Sequence, residues 1–258
     1  MEYEFRFLWY ESRDYRIYKA VHKQDRFMDV LIKEYKEHVS VDRIHFEKEI
    51  LTSLRGNRKF IQLLDIFTSA RAYNLVLENC HFTLQQYSDN TLFKDKTIAD
   101  ITWELFESVR QLNNNNVYLL NLRPENVWVQ LDPRDNSCTF KITDFLDCVR
   151  DWQPMQRQLC YPDYFAAPET YDDKSNEPLT KADIYSLGKI MLTLRTKEPS
   201  VANKFDRKNE AQIEADKASL HECLNAIVER AEDKMCSRRA NLFQVYMLFK
   251  EYYSSELR

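Results

Sequence analysis

Six cysteines, five histidines and two glycines are the first residues of this 258-residue chain to test for chemistry. Thiols ligate metals or form redox couples when they recur at short spacing. Cys80, Cys138, Cys148, Cys160, Cys223 and Cys236 contain no CxxC pair and no regular series, so they read as free or buried thiols of a reducing compartment. The histidines are scattered without ligand spacing, and no metal site is assigned. Phosphate-cradling loops need glycine, because the backbone must approach phosphate oxygens closely and adopt unusual dihedrals. Only Gly56 and Gly188 are present, against a usual share of about 7%. What remains is lysine, carboxylate and amide chemistry held in short motifs. These are Leu122-Arg123-Pro124-Glu125-Asn126, Lys141-Ile142-Thr143-Asp144-Phe145, Ala167-Pro168-Glu169 and Asp183-Ile184-Tyr185-Ser186-Leu187-Gly188.

Hydrophobic periodicity indicates the elements that must position these motifs. Phe5, Phe7 and Trp9 alternate with polar neighbours, Arg16–Val21 is a second β-prone run, and Met28–Ile32 is a short apolar third. From Asp42, a candidate N-cap, Ile44, Phe46, Ile50, Leu51 and Leu54 recur at helical spacing until Gly56 and Asn57. Strands are expected over Phe60–Phe67 and Tyr73–Glu78. Beyond residue 82, helices are expected over Ile98–Leu112, Ala182–Leu194, Leu220–Ala231 and Leu242–Tyr253. Val127–Leu131 and Thr139–Ile142 read as a hairpin around the Asp132–Asn136 turn. Strands followed by helices make an α+β arrangement.

Composition narrows the function classes. With 44% hydrophobic and 30% charged residues the chain is globular and not disordered. A net charge of −4 predicts neither nucleic acid nor an anionic membrane as partner. No apolar run approaches the roughly 18 residues of a membrane span, and the acidic start Met1–Arg6 is unlike a targeting leader. The expected setting is intracellular, cytoplasmic or nuclear.

In their order and spacing the four motifs resemble the eukaryotic protein kinase family, over nearly the whole chain from Leu8 to Phe249. The resemblance implies a single bilobal domain, 1–258, with a strand-rich N-lobe (1–78), a hinge (79–82) and a helical C-lobe (83–258). It also implies a phosphate-handling quartet. Lys33, in Val30-Leu31-Ile32-Lys33, matches the third-strand lysine; Glu49 best matches the helix glutamate that holds it, with Glu47 as the fallback. Asn126 and Asp144 match the two magnesium ligands. A polar network that merely holds the fold together would retain the same four residues.

The departures fall where the family does its chemistry. The glycine-rich loop falls on Tyr10, Ser12, Tyr15 and Ile17, so all three glycines are replaced; Tyr10 and Tyr15 add bulk expected to fill the pocket, and Asp14 adds charge of the wrong sign for a triphosphate. The catalytic loop is degenerate at Asn121 and carries Arg123 after it; an amide stands where the family's carboxylate accepts the substrate proton. Leu146 replaces the glycine that follows Asp144-Phe145. Leu31 replaces the small alanine above the purine, and Trp128 replaces the leucine below it. Overpacking costs about 1–3 kcal/mol even for single methylenes, so the purine slot is expected to be filled by protein. The alternative is a Trp128 that turns aside and stacks on a purine.

Regulatory and scaffolding positions diverge in the same way. The activation segment, 147–166, has no serine or threonine, only Tyr161 and Tyr164, and Leu120 stands where an arginine would receive an activating phosphate. By contrast Glu169 can pair with Arg239 (Arg238 is the neighbouring alternative), and Asp183 matches the aspartate that holds the catalytic-loop backbone. The resemblance therefore implies a pseudokinase without a cofactor, acting on another protein as scaffold or allosteric regulator. Two other readings stay open: a weak ATP- and magnesium-dependent serine/threonine-type kinase, and a nucleotide-binding switch without catalysis. Expected partner surfaces are the activation segment, with Trp152 and Met155, and the charged stretch Lys197–Lys217.

Overall fold

Alternating side chains in the first third become strands, and the 3.6-residue stripes that follow become helices. The computed structural model describes residues 2–25, 27–69, 72–89, 91–150, 164–171, 179–196 and 210–256. Trp152, Met155, Tyr161 and the stretch 197–209 lie outside the described residues. In chain order the elements are β1 (Tyr3–Glu11), β2 (Tyr15–His22), β3 (Asp29–Tyr35), α1 (Val41–Ser53), β4 (Leu63–Thr68) and β5 (Tyr73–Glu78). Then come β6 (Phe82–Thr83), α2 (Leu84–Asp89), α3 (Asp95–Asn113), β7 (Val117–Tyr118), β8 (Val127–Leu131), β9 (Cys138–Ile142) and β10 (Val149–Arg150). The last helices are α4 (Ala182–Thr196), α5 (Glu210–Ala218), α6 (Glu222–Ala231) and α7 (Leu242–Glu256). The mixed α+β class follows from this order.

Two compact units result, Met1–Phe82 with Trp128–Leu146, and Thr83–Val127 with Asp147–Arg258. In the first, an antiparallel sheet has the order β1-β2-β3-β5-β4. Its register pairs Tyr15 with Tyr35, Ile17 with Lys33 and Lys19 with Leu31, while Lys33 and Leu31 face Leu75 and Leu77 on β5. Directly paired residues share a face, and so do residues two apart. Tyr15, Lys19, Leu31, Lys33 and Tyr35 therefore lie on one side of the sheet. The other side carries an apolar cluster of Tyr3, Ala20, Val30, Ile32 and Val76, closed by Phe5 and Phe67. The β8–β9 hairpin joins this unit late in the chain through Ile61 N–H to Ile142 O (3.1 Å) and Ile142 N–H to Lys59 O (3.0 Å).

Two boundaries differ from expectation. The N-cap of α1 is Ser40, whose hydroxyl accepts from Arg43 N–H at 3.4 Å; Asp42 lies inside the first turn, where a carboxylate favours the positive helix end. The strand expected from Phe60 begins only at Leu63. Before it, the Gln62 side chain satisfies the loop backbone, donating to Asn57 O and Phe60 O and accepting from Gly56 N–H.

In the second unit, Ile98, Ile101, Leu105, Phe106 and Val109 form the buried stripe of α3. Nearly every residue of α4 is buried. Gly188 on α4 is required by close approach, because a Cβ there would come within 2.6 Å of the Ala231 Cβ on α6. Periodicity does not signal α2 or α5, although residues 210–218 are mostly good helix formers.

Candidate functional site

Lys33 is the centre of the polar cluster in the first unit. Its Nζ meets Glu47 Oε1 at 2.7 Å and Asp144 Oδ1 at 2.8 Å, with all three side chains less than a tenth exposed. Glu47, and not Glu49, is its partner. Glu47 shares the buried face of α1 with Ile44, Ile50 and Leu51, whereas Glu49, two residues further on, is rotated about 200° to the exposed side. Glu47 is held from three directions. It accepts from Lys33, from the Tyr35 hydroxyl at 2.6 Å and from Phe145 N–H at 3.1 Å.

Tyr15 closes the cluster. Its hydroxyl donates to Asp144 Oδ2 at 3.0 Å, and its ring lies 4.0 Å from Lys33 Nζ, within cation–π range. Burial, reinforced by the Asp144 carboxylate, pushes the Tyr15 phenol well above its ordinary range, and burial with Glu47 does the same to Tyr35. Burial alone would lower Lys33, but Asp144 and Glu47 outweigh it and its pKa is raised. The group is thus one cation, two carboxylates and two neutral phenol donors, a satisfied set despite its burial. Asp144 adopts φ 61°, a left-handed conformation that aspartate tolerates better than most residues.

The turn that replaces the glycine-rich loop is short. Ser12 N–H bonds to Tyr15 O at 2.9 Å, and the Ser12 hydroxyl accepts from Asp14 N–H and Tyr15 N–H at 3.2 and 3.1 Å. Lys36 Nζ takes Ser12 O at 2.7 Å, so backbone groups of this turn are committed internally. Asp14 faces His38 and Arg43, at 2.9 and 3.6 Å. Tyr10 is half-buried, its ring 6.1 Å from that of Tyr15.

At the other end of this sheet face, Leu31 and Trp128 are both buried. Trp128 meets Trp9 edge-to-face at 5.2 Å, and Lys19 Nζ lies 4.6 Å from the Trp9 ring. Lys19 also donates to Asn79 Oδ1 at 2.7 Å and to the carbonyl of Cys80, while His81 N–H donates to Val129 O at 2.9 Å. Burial lowers the Lys19 pKa. The Cys80 carbonyl and the His81 N–H are therefore occupied by the protein's own donor and acceptor. Sequence reasoning missed Tyr35 and Lys19; the period-2 pattern from Lys33 and Leu31 was the available signal.

The second unit holds the remaining positions. Asn126 Nδ2 donates to Asn121 O at 3.0 Å, and Asn121 Nδ2 donates to Asp147 Oδ2 at 3.2 Å. Arg123 is half-buried just before the 3-10 turn Pro124–Asn126. Asp183 accepts from Leu119 N–H and Leu120 N–H, both at 2.9 Å. That bracket holds Leu120 at φ 59°, a conformation costly for a side chain without local hydrogen bonds. Burial raises the Asp183 pKa to about 6, against the two amide bonds that lower it. Glu169 and Arg239 form a bidentate pair at 2.5 and 3.0 Å, both buried, whereas Arg238 is exposed. Arg239 also donates to Asp233 O and Lys181 O, each at 3.0 Å.

Magnesium and nucleotide, which a kinase fold implies, fit the first unit poorly. The carboxylate that would ligate metal has Lys33 on one oxygen and Tyr15 on the other, and the turn lacks glycine.

The chain is similar in sequence to known kinases. The phosphorylase b kinase gamma catalytic chain, liver/testis isoform, of Bos taurus is 25% identical over 160 residues, covering 59% of this chain and 38% of that protein. The serine/threonine-protein kinase ATG1b of Arabidopsis thaliana is 29% identical over 140 residues, 53% of this chain and 19% of that one. Calcium-dependent protein kinase 6 of Plasmodium berghei (strain Anka) is 25% identical over 151 residues, 57% and 10%. The chain spans well under half the length of each of these relatives. The protein kinase domain model matches residues 15–254, most of the chain. By that match the chain belongs to the protein kinase domain family.

Proposed function

We propose that this chain is a pseudokinase, a protein kinase domain that does not transfer phosphate and acts by binding another protein as a scaffold or allosteric regulator. The observation that carries this reading is the Tyr15 hydroxyl on Asp144 Oδ2. Phosphoryl transfer requires magnesium on that carboxylate and a base on the substrate hydroxyl. Metal entry would have to break a buried, charge-assisted hydrogen bond, and Asn121 offers an amide where a proton acceptor is needed.

Two observations favour a second reading. The Lys33–Glu47 pair is intact, as an enzyme or a nucleotide-binding switch would need, and the relatives carry kinase names. Melting of the purified chain with millimolar MgATP separates the readings, because a ligand that binds only the native state raises its melting temperature by mass action. No shift and no transfer of labelled phosphate is the expected result. A shift without transfer supports the switch, and transfer to any hydroxyl substrate overturns the pseudokinase.

A further inference from the structure

A bound nucleotide with its metal would link Lys33, on the sheet, to Asp144, which follows β9. In this chain Tyr15 already makes that bridge. Its hydroxyl bonds to Asp144 Oδ2 (3.0 Å), its ring covers the Lys33 ammonium (4.0 Å), and its backbone begins β2 opposite Tyr35. Tyr35 completes the frame from the same sheet face by donating to Glu47 Oε2 (2.6 Å), and Glu47 belongs to α1. A continuous path of hydrogen bonds therefore runs from Tyr15 through Asp144, Lys33 and Glu47 to Tyr35. It passes through α1 and returns to the sheet without any external group.

We propose that Tyr15 is a built-in ligand that replaces metal-bound phosphate, so that α1 is held to the sheet of the first unit without nucleotide. The inference rests on the reading that this domain does not transfer phosphate, and it adds how the domain keeps its binding conformation. Two features besides the Tyr15 contact support it. The Ser12–Tyr15 turn is closed by its own backbone and hydroxyl bonds, which fixes where Tyr15 enters the sheet. At the far end of the same face, Lys19 takes the Cys80 carbonyl and the Asn79 side chain, so that end is also occupied by protein groups.

A replaced ligand predicts a tradeable site: removing the tyrosine should loosen α1 and let a phosphate ligand take its place. The probe is magnesium pyrophosphate, which needs only the Lys33 and Asp144 end and is indifferent to Leu31, Trp128 and Lys19. Amide hydrogen exchange of residues 41–53 and thermal melting are measured for the wild type, Tyr15→Gly and Tyr15→Phe. In the wild type, α1 amides are protected and magnesium pyrophosphate changes neither readout. In Tyr15→Gly, α1 exchanges about tenfold faster or more. Magnesium pyrophosphate at tenfold excess over its Kd restores protection and raises the melting temperature by about 3 °C or more. Tyr15→Phe keeps the ring and loses the bond to Asp144, so its α1 exchange lies between the two; it also serves if Tyr15→Gly does not fold. Unchanged α1 exchange in both variants overturns the proposal. So does loosening that magnesium pyrophosphate fails to reverse, which would make Tyr15 an ordinary core residue, and so does a wild type that responds to the probe. Transfer of labelled phosphate by the wild type is read separately and strikes the pseudokinase assignment instead.

Discussion

The two units use buried charge differently. In the first, Lys33, Glu47 and Asp144 bring one cation and two carboxylates together, and neutral tyrosines and the Phe145 amide supply further donors. In the second, charge brackets the fold: Arg239 meets Glu169 in a bidentate pair, and Asp183 holds two backbone amides of the degenerate catalytic loop. The first arrangement occupies residues that the family uses for chemistry; the second preserves residues that it uses for architecture. A chain released from phosphate transfer can still need every one of these groups. The cost of leaving a buried charge unpaired would retain them with or without phosphate transfer.

Replacing Arg239 with alanine is the strongest challenge to this contrast. Glu169 would be left buried and ionised, and the Lys181 and Asp233 carbonyls would lose a donor. The expected loss is about 3–5 kcal/mol in chemical denaturation. A loss under 1 kcal/mol would mean that the bracket carries little of the second unit's stability.

Lys33→Met should cost a comparable amount, about 3–5 kcal/mol, but with a different pH signature. Lys33 has a raised pKa in the folded state, so in the wild type its contribution is complete at neutral pH and disappears only as pH rises through that pKa. Without the lysine, Glu47 and Asp144 face each other buried, and their protonation becomes favourable. The variant should therefore regain stability relative to wild type as pH falls from 7 to 5. A pH-independent difference between the two would show that the cluster is not electrostatically coupled.

Asp183→Asn sharpens the comparison with a smaller effect. An amide offers one good acceptor to two N–H groups, which predicts a loss of about 1–3 kcal/mol. The folded-state pKa of Asp183 is raised to about 6 from 3.8, so the folded chain binds the extra proton in this window. By linkage, this one group lowers wild-type stability as pH rises from about 4 to 6, by up to about 3 kcal/mol. The gap between wild type and variant should be larger at pH 4 than at pH 7. The opposite trend in urea midpoints would refute the burial of this carboxylate.

Tyr35→Phe is the mildest test. It removes one donor from Glu47, which keeps Lys33 and the Phe145 amide, and the expected cost is about 1.5 kcal/mol. If urea melts of this variant overlay the wild type, the tyrosines are packing groups and the first unit's cluster is held by charge alone.

Local chemistry made much of this legible from sequence. Periodicity located all five strands of the first sheet and the long helices, because burial on one face writes itself into a chain at intervals of two or 3.6 residues. The motifs located Lys33, Asn126, Asp144, Asp183 and the Glu169–Arg239 pair through residue type and order. They could not choose between Glu47 and Glu49, since both stand in the same helical turn and only the rotation of α1 against the sheet decides which faces Lys33. Tyr15 read as bulk in place of glycine. That its hydroxyl would seek Asp144, 129 residues away, follows from cross-strand register and the path of the chain after β9, neither of which has a local signature. Tyr35 shares the period-2 pattern of Lys33 and Leu31, but its partner Glu47, like the Asn79 and Cys80 partners of Lys19, is set by packing between elements. By itself the sequence determined most of the longer elements, the family and the lack of glycine at the phosphate-loop positions, because those depend on residue type and spacing. Only the tertiary structure decided which donors saturate the buried carboxylates, because hydrogen-bond partners distant in sequence are chosen by three-dimensional packing and the penalty for leaving any of them unpaired.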